Sequence, residues 1–482
     1  MIWVVIILYS LPLLYIFLFS LGQLHLAWVY VRKPVTEGAP HQPLVVFPAV
    51  TIQLPVYNEK YVVERLLNAV AAIDYPADRL EVQVLDDSTD ETTSLIAKKI
   101  TTLRKDLNLR HIIRTNREGF KAGALQSGLA VAQGEFIAIF DADFLPQPDF
   151  LKKTIPHFAD SSIGAVQTRW GHLNRDYSLL TQLQAFGLDA HFSIEQTARH
   201  QSGSFINFNG TCGIWRKKCI EEAGGWSADT LTEDLDLSYR AQLKGWRFQY
   251  LEEVETPGEL PVIMPAVKSQ QYRWNKGAAE TARKVFWDVL RSENSWKHKI
   301  HAFFHLFNST VFVCLLLAAL LSVPMLLIHQ QHPELQVFFT AGSVLFVGFL
   351  SITFFYWISS RRTSTQPLRT FLSLYPRFLI VSMGLCLHNG LAVLEGLLGR
   401  KTPFIRTPKF NVVKKDDRWQ GNQYVSTMPS LQTWLEALLF VYFSGALVLG
   451  YLWGDGTFAL FHSLLALGFG SVFYFSLKPH FK

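Results

Sequence analysis

The sequence predicts an α/β domain, built on a mixed, mostly parallel sheet with helices on both faces and embedded in an α-helical transmembrane domain. Three observations carry that reading. Strand-like and helix-like segments alternate between about residues 45 and 277. Long uncharged apolar runs flank that segment on both sides. Of the 482 residues, 49% are hydrophobic and only 17% charged, against about 25% charged in an ordinary soluble chain. The net charge of +6 suits a membrane surface or phosphorylated substrates, and with so apolar a chain no nucleic-acid partner is implied. The four cysteines form no CxxC pair, so zinc, thioredoxin-like and disulfide-scaffold readings have no support.

The membrane elements follow from charge and length. Ile2 to Val31 contains no Asp, Glu, Lys or Arg, and a helix needs about 20 residues to cross a bilayer. Arg32 and Lys33 come directly after it, so residues 1–33 are expected to form a transmembrane helix with its N-terminus outside and the following domain in the cytosol. Residues 301–360 are expected to hold two more spans, His301 to Pro333 and Leu335 to Ser360. Residues 431–477 hold a further two, Leu431 to Leu452 and Thr457 to Leu477. Between them, 366–415 contains the apolar stretch Thr370 to Gly399, interrupted by Arg377, His388, Asn389 and Glu395. Both of its flanks are basic, so both belong in the cytosol. A re-entrant or interfacial segment is therefore expected rather than a crossing. Residues 278–300 mix Phe286, Trp287 and Trp296 with five basic residues, as an interfacial helix does. Five crossings result. The short stretch before the first span favours a bacterial inner membrane over a Golgi membrane.

Within the soluble segment, Val50 to Leu54 reads as a strand and Lys60 to Ile73 as a helix. Glu81 to Leu85 is the next strand. Ser88 and Glu91 suggest a capping box opening a helix from Asp90 to Leu103. Arg110 to Arg114 is a third strand, followed by a helix to Ala132, and Phe136 to Phe140 is a fourth. This order predicts a largely parallel sheet, whose ligands bind beyond the carboxyl ends of the strands. Two of those ends are acidic: Asp86-Asp87 and Asp141-Ala142-Asp143. Such clusters repel each other unless cations separate them, and a hard divalent cation takes one or two carboxylates together with substrate phosphates. A lone DxD is ordinarily a solvated turn, however. No P-loop, GxGxxG or HExxH motif occurs. His301 and His305 have metal-ligand spacing, but no carboxylate pattern accompanies them.

Downstream come Thr232-Glu233-Asp234, before a helical stretch from Leu235 to Lys244, and Gln270-Gln271-Tyr272-Arg273-Trp274. Taken together, Asp86-Asp87, Asp141-x-Asp143, Thr232-Glu233-Asp234 and Gln270-x-x-Arg273-Trp274 resemble the D, DxD, TED, QxxRW signature of processive family 2 glycosyltransferases. The likeness extends to Pro55–Glu59, Lys121–Leu125, Val166–Trp170 and Phe208–Thr211. The chain is similar to the plant cellulose-synthase-like A and C proteins, makers of β-mannan, glucomannan and β-glucan backbones. It departs from them at Cys212 and at Asn275-Lys276-Gly277, where those proteins have Ala and Ser-Cys-Gly.

The resemblance implies a GT-A-like fold, a Mg²⁺ or Mn²⁺ cofactor and an inverting transfer from UDP-glucose or GDP-mannose to a growing glycan. It implies nucleoside and diphosphate contacts at Tyr57, Glu59, Asp86, Asp87, Lys121 and Asp141. Asp143 would hold the metal with Asp141 in support. Asp234 would be the general base, with Glu233 beside it. Phe208, Asn209, Gly210, Thr211, Gln270, Arg273 and Trp274 would meet acceptor and product. Phe404 to Lys409 resembles the gating loop of cellulose synthases. The alternative product class is a single sugar on a lipid, as in ceramide glucosyltransferases. The sugar, the linkage and any accessory subunits stay open.

Overall fold

The computed structural model describes residues 2–33, 46–103, 107–402, 405–424 and 429–481. Residue 45 and Phe404 lie outside the described residues. Seven strands form one sheet: β1 (Val50–Val56), β2 (Leu80–Asp86), β3 (Asn108–Ile113), β4 (Phe136–Ile139), β5 (Ile163–His172), β6 (Gly213–Arg216) and β7 (Arg247–Gly258). Their order is β3-β2-β1-β4-β6-β5-β7. The first four pair in parallel, as does β5 with β7. β6 alone runs antiparallel, to both β4 and β5. The sequence-based reading found the four parallel strands and missed the last three. β6 is only four residues long, and β5 and β7 are thrown out of simple alternation by a register shift between Thr168 and Arg169.

From β1 the chain builds outward to β2 and β3, then returns to place β4 on the other side. The crevice beyond the carboxyl ends of β1 and β4 is thus a topological switch point, the place where open α/β sheets bind ligands. Apolar clusters on both faces hold the sheet rigid beneath it. One includes Ile52, Leu54, Val84 and Phe140; the other includes Ile139, Phe192, Phe208 and Trp215.

The expected capping box does not form. The helix begins at Thr92. The Asp90 carboxylate accepts the Thr92 N–H at 2.9 Å, while the Ser88 hydroxyl accepts the Asn58 N–H at 2.9 Å. Ser88 therefore joins the β1 and β2 loops, and an Asp two residues upstream caps the helix.

One helix, Met264–Arg291, runs through the expected boundary between residues 277 and 278. A second, Trp296–Leu306, contains His301 and His305. The chain breaks before the apolar helix Thr310–Gln331 starts, and at the break the Phe307 carbonyl accepts both the Thr310 N–H at 3.0 Å and the Tyr15 hydroxyl at 2.6 Å. His305 is bonded to the Tyr239 hydroxyl at 2.8 Å, and the His301 ring lies 5.0 Å from that of His25. No group of three or more His, Cys, Asp or Glu is arranged to hold a metal among the described residues.

Among the described residues, five helical stretches are long and apolar enough to cross a membrane: Ile2–Arg32, Thr310–Gln331, Pro333–Thr363, Leu431–Leu452 and Ala459–Leu477. The segment expected to be re-entrant is a pair of helices, Pro367–Gly384 and Cys386–Leu397, bent by 52° at Leu385. A Cβ added at Gly384 would sit 2.2 Å from the Gly468 carbonyl oxygen. Glycine at that crossing lets the bent pair approach the last apolar helix backbone to backbone.

Candidate active site

The cleft begins where β1 ends. Tyr57, Asn58 and Glu59 follow Val56, and the positive φ of 55° at Asn58 turns the chain across the top of the sheet. Asn tolerates that conformation better than most residues. The Arg117 guanidinium stacks over the Tyr57 ring, 3.3 Å from its centroid. Asp87 follows β2 and accepts both arms of the Arg114 fork, Nε to Oδ1 at 2.7 Å and Nη2 to Oδ2. Tyr57, Asp87, Arg117 and Lys121 line the same cavity. Asp86 does not. It is fully buried, with Oδ1 accepting the Ser88 N–H and Oδ2 at 2.9 Å from His111 Nε2. Burial works against its charge, but the bonds from His111 and Ser88 hold its carboxyl below the usual range. Of the two acids named from sequence, only Asp87 lines the cavity. Asp86 shapes the loop behind it, because successive strand residues point to opposite faces.

Deeper in, the turn after β4 presents Asp141 and Asp143. Asp141 Oδ1 lies 2.6 Å from Lys121 Nζ, and Lys121 also donates to the Gly210 carbonyl at 2.9 Å. Burial works against the Lys121 charge, but Asp141 and Glu233 keep its pKa above the ordinary lysine value. Asp143 is buried, and its Oδ2 lies 2.5 Å from Lys409 Nζ. Arg406 reaches Glu59 at 3.0 Å. Burial pushes Glu59 up to about 7, with Arg406 and Lys409 working the other way. Asp141 and Asp143 thus each hold one ammonium group. Two neighbouring carboxylates of this kind are the ligand type a hard divalent cation takes, so Asp141 and Asp143 could hold one.

The far end is built by the helix Glu233–Leu243, with Thr232 directly before it. Glu233 Oε1 lies 3.7 Å from Lys121 Nζ. Burial first, then the neighbouring Glu233 carboxylate, pushes Asp234 up to about 7, against the pull of Lys121. That value suits a base working near neutrality. Gly210, with φ of 78°, faces it closely: a Cβ there would come within 3.1 Å of Asp234 Oδ2. Gln270, Arg273 and Trp274 sit at i, i+3 and i+4 on helix Met264–Arg291 and so share one face. All three line this cavity together with Asp234 and Trp170. The Trp170 and Trp274 rings stand 6.3 Å apart, and the Trp170 indole N–H is buried with no hydrogen-bond partner among the described residues.

The loop Phe208–Thr211 divides. Asn209 and Gly210 reach the cleft. Phe208 is fully buried and packs on Trp215 at 5.3 Å, so it is core rather than an acceptor contact. Thr211 is also fully buried, and its hydroxyl accepts the Asp141 N–H at 2.9 Å. It orients the acidic turn from below. Buried Gln167 fixes the loop, its carbonyl oxygen accepting the Asn209 N–H at 2.9 Å and its amide donating to the Thr211 carbonyl at 3.2 Å.

Several participants had no role assigned from sequence. Trp170 and Gln167 lie in the Val166–Trp170 run already noted for its likeness, which was the available signal. Arg117 was signalled only by its place beyond the carboxyl end of β3. Arg406, Thr407 and Lys409 belong to the gating-like segment and enter the cleft itself; the Thr407 hydroxyl accepts from Arg273 Nη2 at 2.9 Å.

Three cavities adjoin one another along the cleft. The outer and middle cavities share Lys121, Asp141, Asp143, Arg273 and Lys409. The middle and inner ones share Trp170, Asn209, Asp234 and Trp274. The inner one ends at Asn308 and Ser309, directly before the apolar helix Thr310–Gln331.

A switch-point cleft with paired acids on one side and the Asp234 carboxylate beside tryptophans on the other sits in a GT-A-like fold joined to candidate membrane helices. Residues 48–277 match the model described as glycosyltransferase like family 2. The chain is 40% identical over 316 residues to glucomannan 4-beta-mannosyltransferase 1 of Oryza sativa subsp. japonica, covering 61% of this chain and 60% of that one. It is 43% identical over 269 residues to glucomannan 4-beta-mannosyltransferase 2 of Arabidopsis thaliana, covering 54% and 50%. It thus spans little more than half the length of the curated relatives it matches. Among solved structures, the mannosyltransferase PcManGT from Pyrobaculum calidifontis, in complex with GDP-Man and Mn²⁺, aligns with a TM-score of 0.57 at 21% identity, over 82% of this chain and 100% of that one. At that identity the likeness is one of fold.

Proposed function

We propose that this chain is a membrane-bound, inverting hexosyltransferase that polymerises a β-linked mannan or glucomannan from a nucleotide-diphospho-sugar, GDP-mannose in the first instance. The observation that carries the reading is the pair of adjoining cavities that runs from Tyr57 and Asp87, past Asp141 and Asp143, to Asp234 and Trp274. The mannosyltransferase relatives and the GDP-Man held by the PcManGT structure support the choice of sugar over UDP-glucose. The relatives are plant proteins, so they lend no support to a bacterial inner membrane.

In this mechanism Tyr57, Asp87 and Arg117 receive the nucleoside. Lys121 and Arg273 face the diphosphate, and their charges meet the negative charge that grows as it leaves. Asp141 and Asp143 would hold a Mg²⁺ or Mn²⁺ ion, which supplies Lewis-acid stabilisation of the leaving diphosphate. Trp274, with Trp170 behind it, offers a flat apolar face to the acceptor sugar. Asp234 accepts the proton of the acceptor hydroxyl as that oxygen bonds to the sugar's anomeric carbon. The bond from that carbon to the phosphate oxygen breaks, and nucleoside diphosphate departs. A single displacement inverts the anomeric configuration, so one base suffices. The inner end of the cleft at Asn308 and Ser309 gives an extended product a route toward the membrane helices, through which it would be exported.

The test is to supply the protein, reconstituted in lipid with Mn²⁺ or Mg²⁺, with GDP-mannose, UDP-glucose or both. Nucleotide release, product length and digestion by a β-mannanase are then measured. A long mannanase-sensitive polymer is expected. A product no larger than one sugar on a lipid would replace the polymerase reading with single-sugar transfer.

A further inference from the structure

Helix Met264–Arg291 turns Gln270, Arg273 and Trp274 toward the cleft. Two residues beyond Trp274, Lys276 is fully buried and lines none of the three connected cavities. A buried ammonium is costly unless its donors are all used. Lys276 Nζ donates to the Thr402 hydroxyl at 2.6 Å, to the Arg400 carbonyl at 2.7 Å and to the Tyr272 hydroxyl at 3.4 Å. Its nearest carboxylate, Glu395 Oε2, lies 3.8 Å away. Glu395 is held in turn by the Tyr272 hydroxyl and by Arg400 at 3.2 Å. The Lys276 carbonyl is also in close packing, since a Cβ added at Gly396 would sit 2.6 Å from it.

Two of these three bonds hold Arg400 and Thr402 against the helix. Four residues past Thr402, Arg406 pairs with Glu59 at 3.0 Å. Thr407 then accepts from Arg273, and Lys409 pairs with Asp143. The Phe410 N–H donates to Glu259 Oε1 at 2.9 Å. The segment that covers the diphosphate end of the cleft is therefore rooted on the helix that carries the acceptor-side residues.

We infer that Lys276 is a positioning residue: it fixes the root of the segment bearing Arg406, Thr407 and Lys409 to the helix bearing Arg273 and Trp274. The two ends of the cleft thereby share one frame. Lys276 touches neither donor nor acceptor. Its kinetic consequence rests on the glycosyl-transfer reading, and its conformational consequence does not.

The experiment uses the full chain in lipid nanodiscs, as wild type, Lys276→Met and Thr402→Val. Met keeps most of the lysine's length and removes all three donors. Val keeps the threonine's shape and removes one acceptor without touching the helix. Hydrogen–deuterium exchange is followed over residues 405–412, the helix Met264–Arg291 and the sheet. A hydrogen bond to a charged group is worth roughly a factor of ten or more. Exchange at 405–412 should therefore rise about tenfold in Lys276→Met and by less in Thr402→Val, with helix and sheet unchanged. The KM for GDP-mannose should rise in the same order while kcat stays within about twofold of wild type. Unchanged protection of 405–412 in both variants would overturn the inference. So would equal loosening of the whole helix, which is what a purely structural lysine gives. If Lys276→Met does not fold, Thr402→Val decides. If the wild type turns over no donor, the exchange measurement decides alone, and the failure is that of the functional reading.

Discussion

Asp234→Asn isolates the proton-transfer step. The substitution keeps size and shape and removes only the ability to accept a proton. Asp234 lies at the acceptor side of the cleft, in the cavity shared with Trp170 and Trp274, and is absent from the outer cavity formed by Tyr57, Asp87 and Arg117. Donor affinity should therefore change by no more than about twofold, a change worth less than 0.5 kcal/mol. A positioned general base contributes about 10² to 10⁴ in rate, so kcat should fall by that factor, a barrier increase of about 3 to 5 kcal/mol. The variant also loses one of two adjacent carboxylates. Lys121, now facing less negative charge, stays paired with Asp141 at 2.6 Å, so the phosphate side keeps its geometry. The assay pairs equilibrium binding of GDP in the presence of Mn²⁺ with initial rates of nucleotide release. Turnover by Asp234→Asn within tenfold of wild type would refute the assignment. Collapse of GDP binding would show instead that the carboxylate organises the donor site.

The pH profile follows from the same residue. Burial and Glu233 raise Asp234 to about 7, and the carboxylate is the active form, so kcat/KM should fall below that pH by about tenfold per unit and flatten above it. A flat profile from pH 5 to 8, measured at saturating metal, counts against this base. Asp143→Asn should raise the Mn²⁺ concentration needed for half-maximal activity at least tenfold, since one of two carboxylates for the cation is lost; an unchanged metal titration contradicts the assignment. Gly210→Ala places a Cβ 3.1 Å from Asp234 Oδ2 at a φ of 78°. A left-handed alanine costs about 1–2 kcal/mol, so the melting temperature should drop by a few degrees while kcat falls far more, and equal modest losses would show that the close approach is not functional. Glu436→Gln leaves Lys268 buried without the carboxylate now 2.7 Å from it. Stability should fall by about 3 to 5 kcal/mol and recover in part in Lys268→Met/Glu436→Leu, as followed by thermal unfolding in nanodiscs.

How much of this was legible in the sequence depends on whether a residue's role is local. The strands β1 to β4 were legible as short β-prone segments between helical ones, and their parallel order follows from the helices between them. The acids at the ends of β2 and β4 were legible as site residues because strand ends in such sheets point into one crevice. Which acid faces the crevice was not. Asp86 and Asp87 are neighbours of the same type, and only the register of β2 against β1 and β3, with His111 waiting opposite, decides that Asp86 turns inward. The same holds for the loop after residue 207. Phe208, Asn209, Gly210 and Thr211 form one run by likeness, but the fold gives them three separate tasks: core, cleft and support.

The residues of the gating-like segment, which had no individual role from sequence, act across long sequence separations. Lys409 meets Asp143 and Arg406 meets Glu59 because the helices Met264–Arg291 and Cys386–Leu397 pack together and deliver the segment after Thr402 over the cleft. No local pattern encodes that delivery. It depends on a glycine at position 396 allowing close helix contact and on Lys276 capturing the chain just beyond it. Asn275-Lys276-Gly277 departs from the Ser-Cys-Gly of the cellulose-synthase-like proteins that the chain otherwise resembles. That departure changes the physics, since a buried lysine demands three acceptors and fixes whatever supplies them. The residues proposed for catalysis in this cleft are legible by type and spacing, whereas the residues that hold its two ends in register become visible only once the helices are packed.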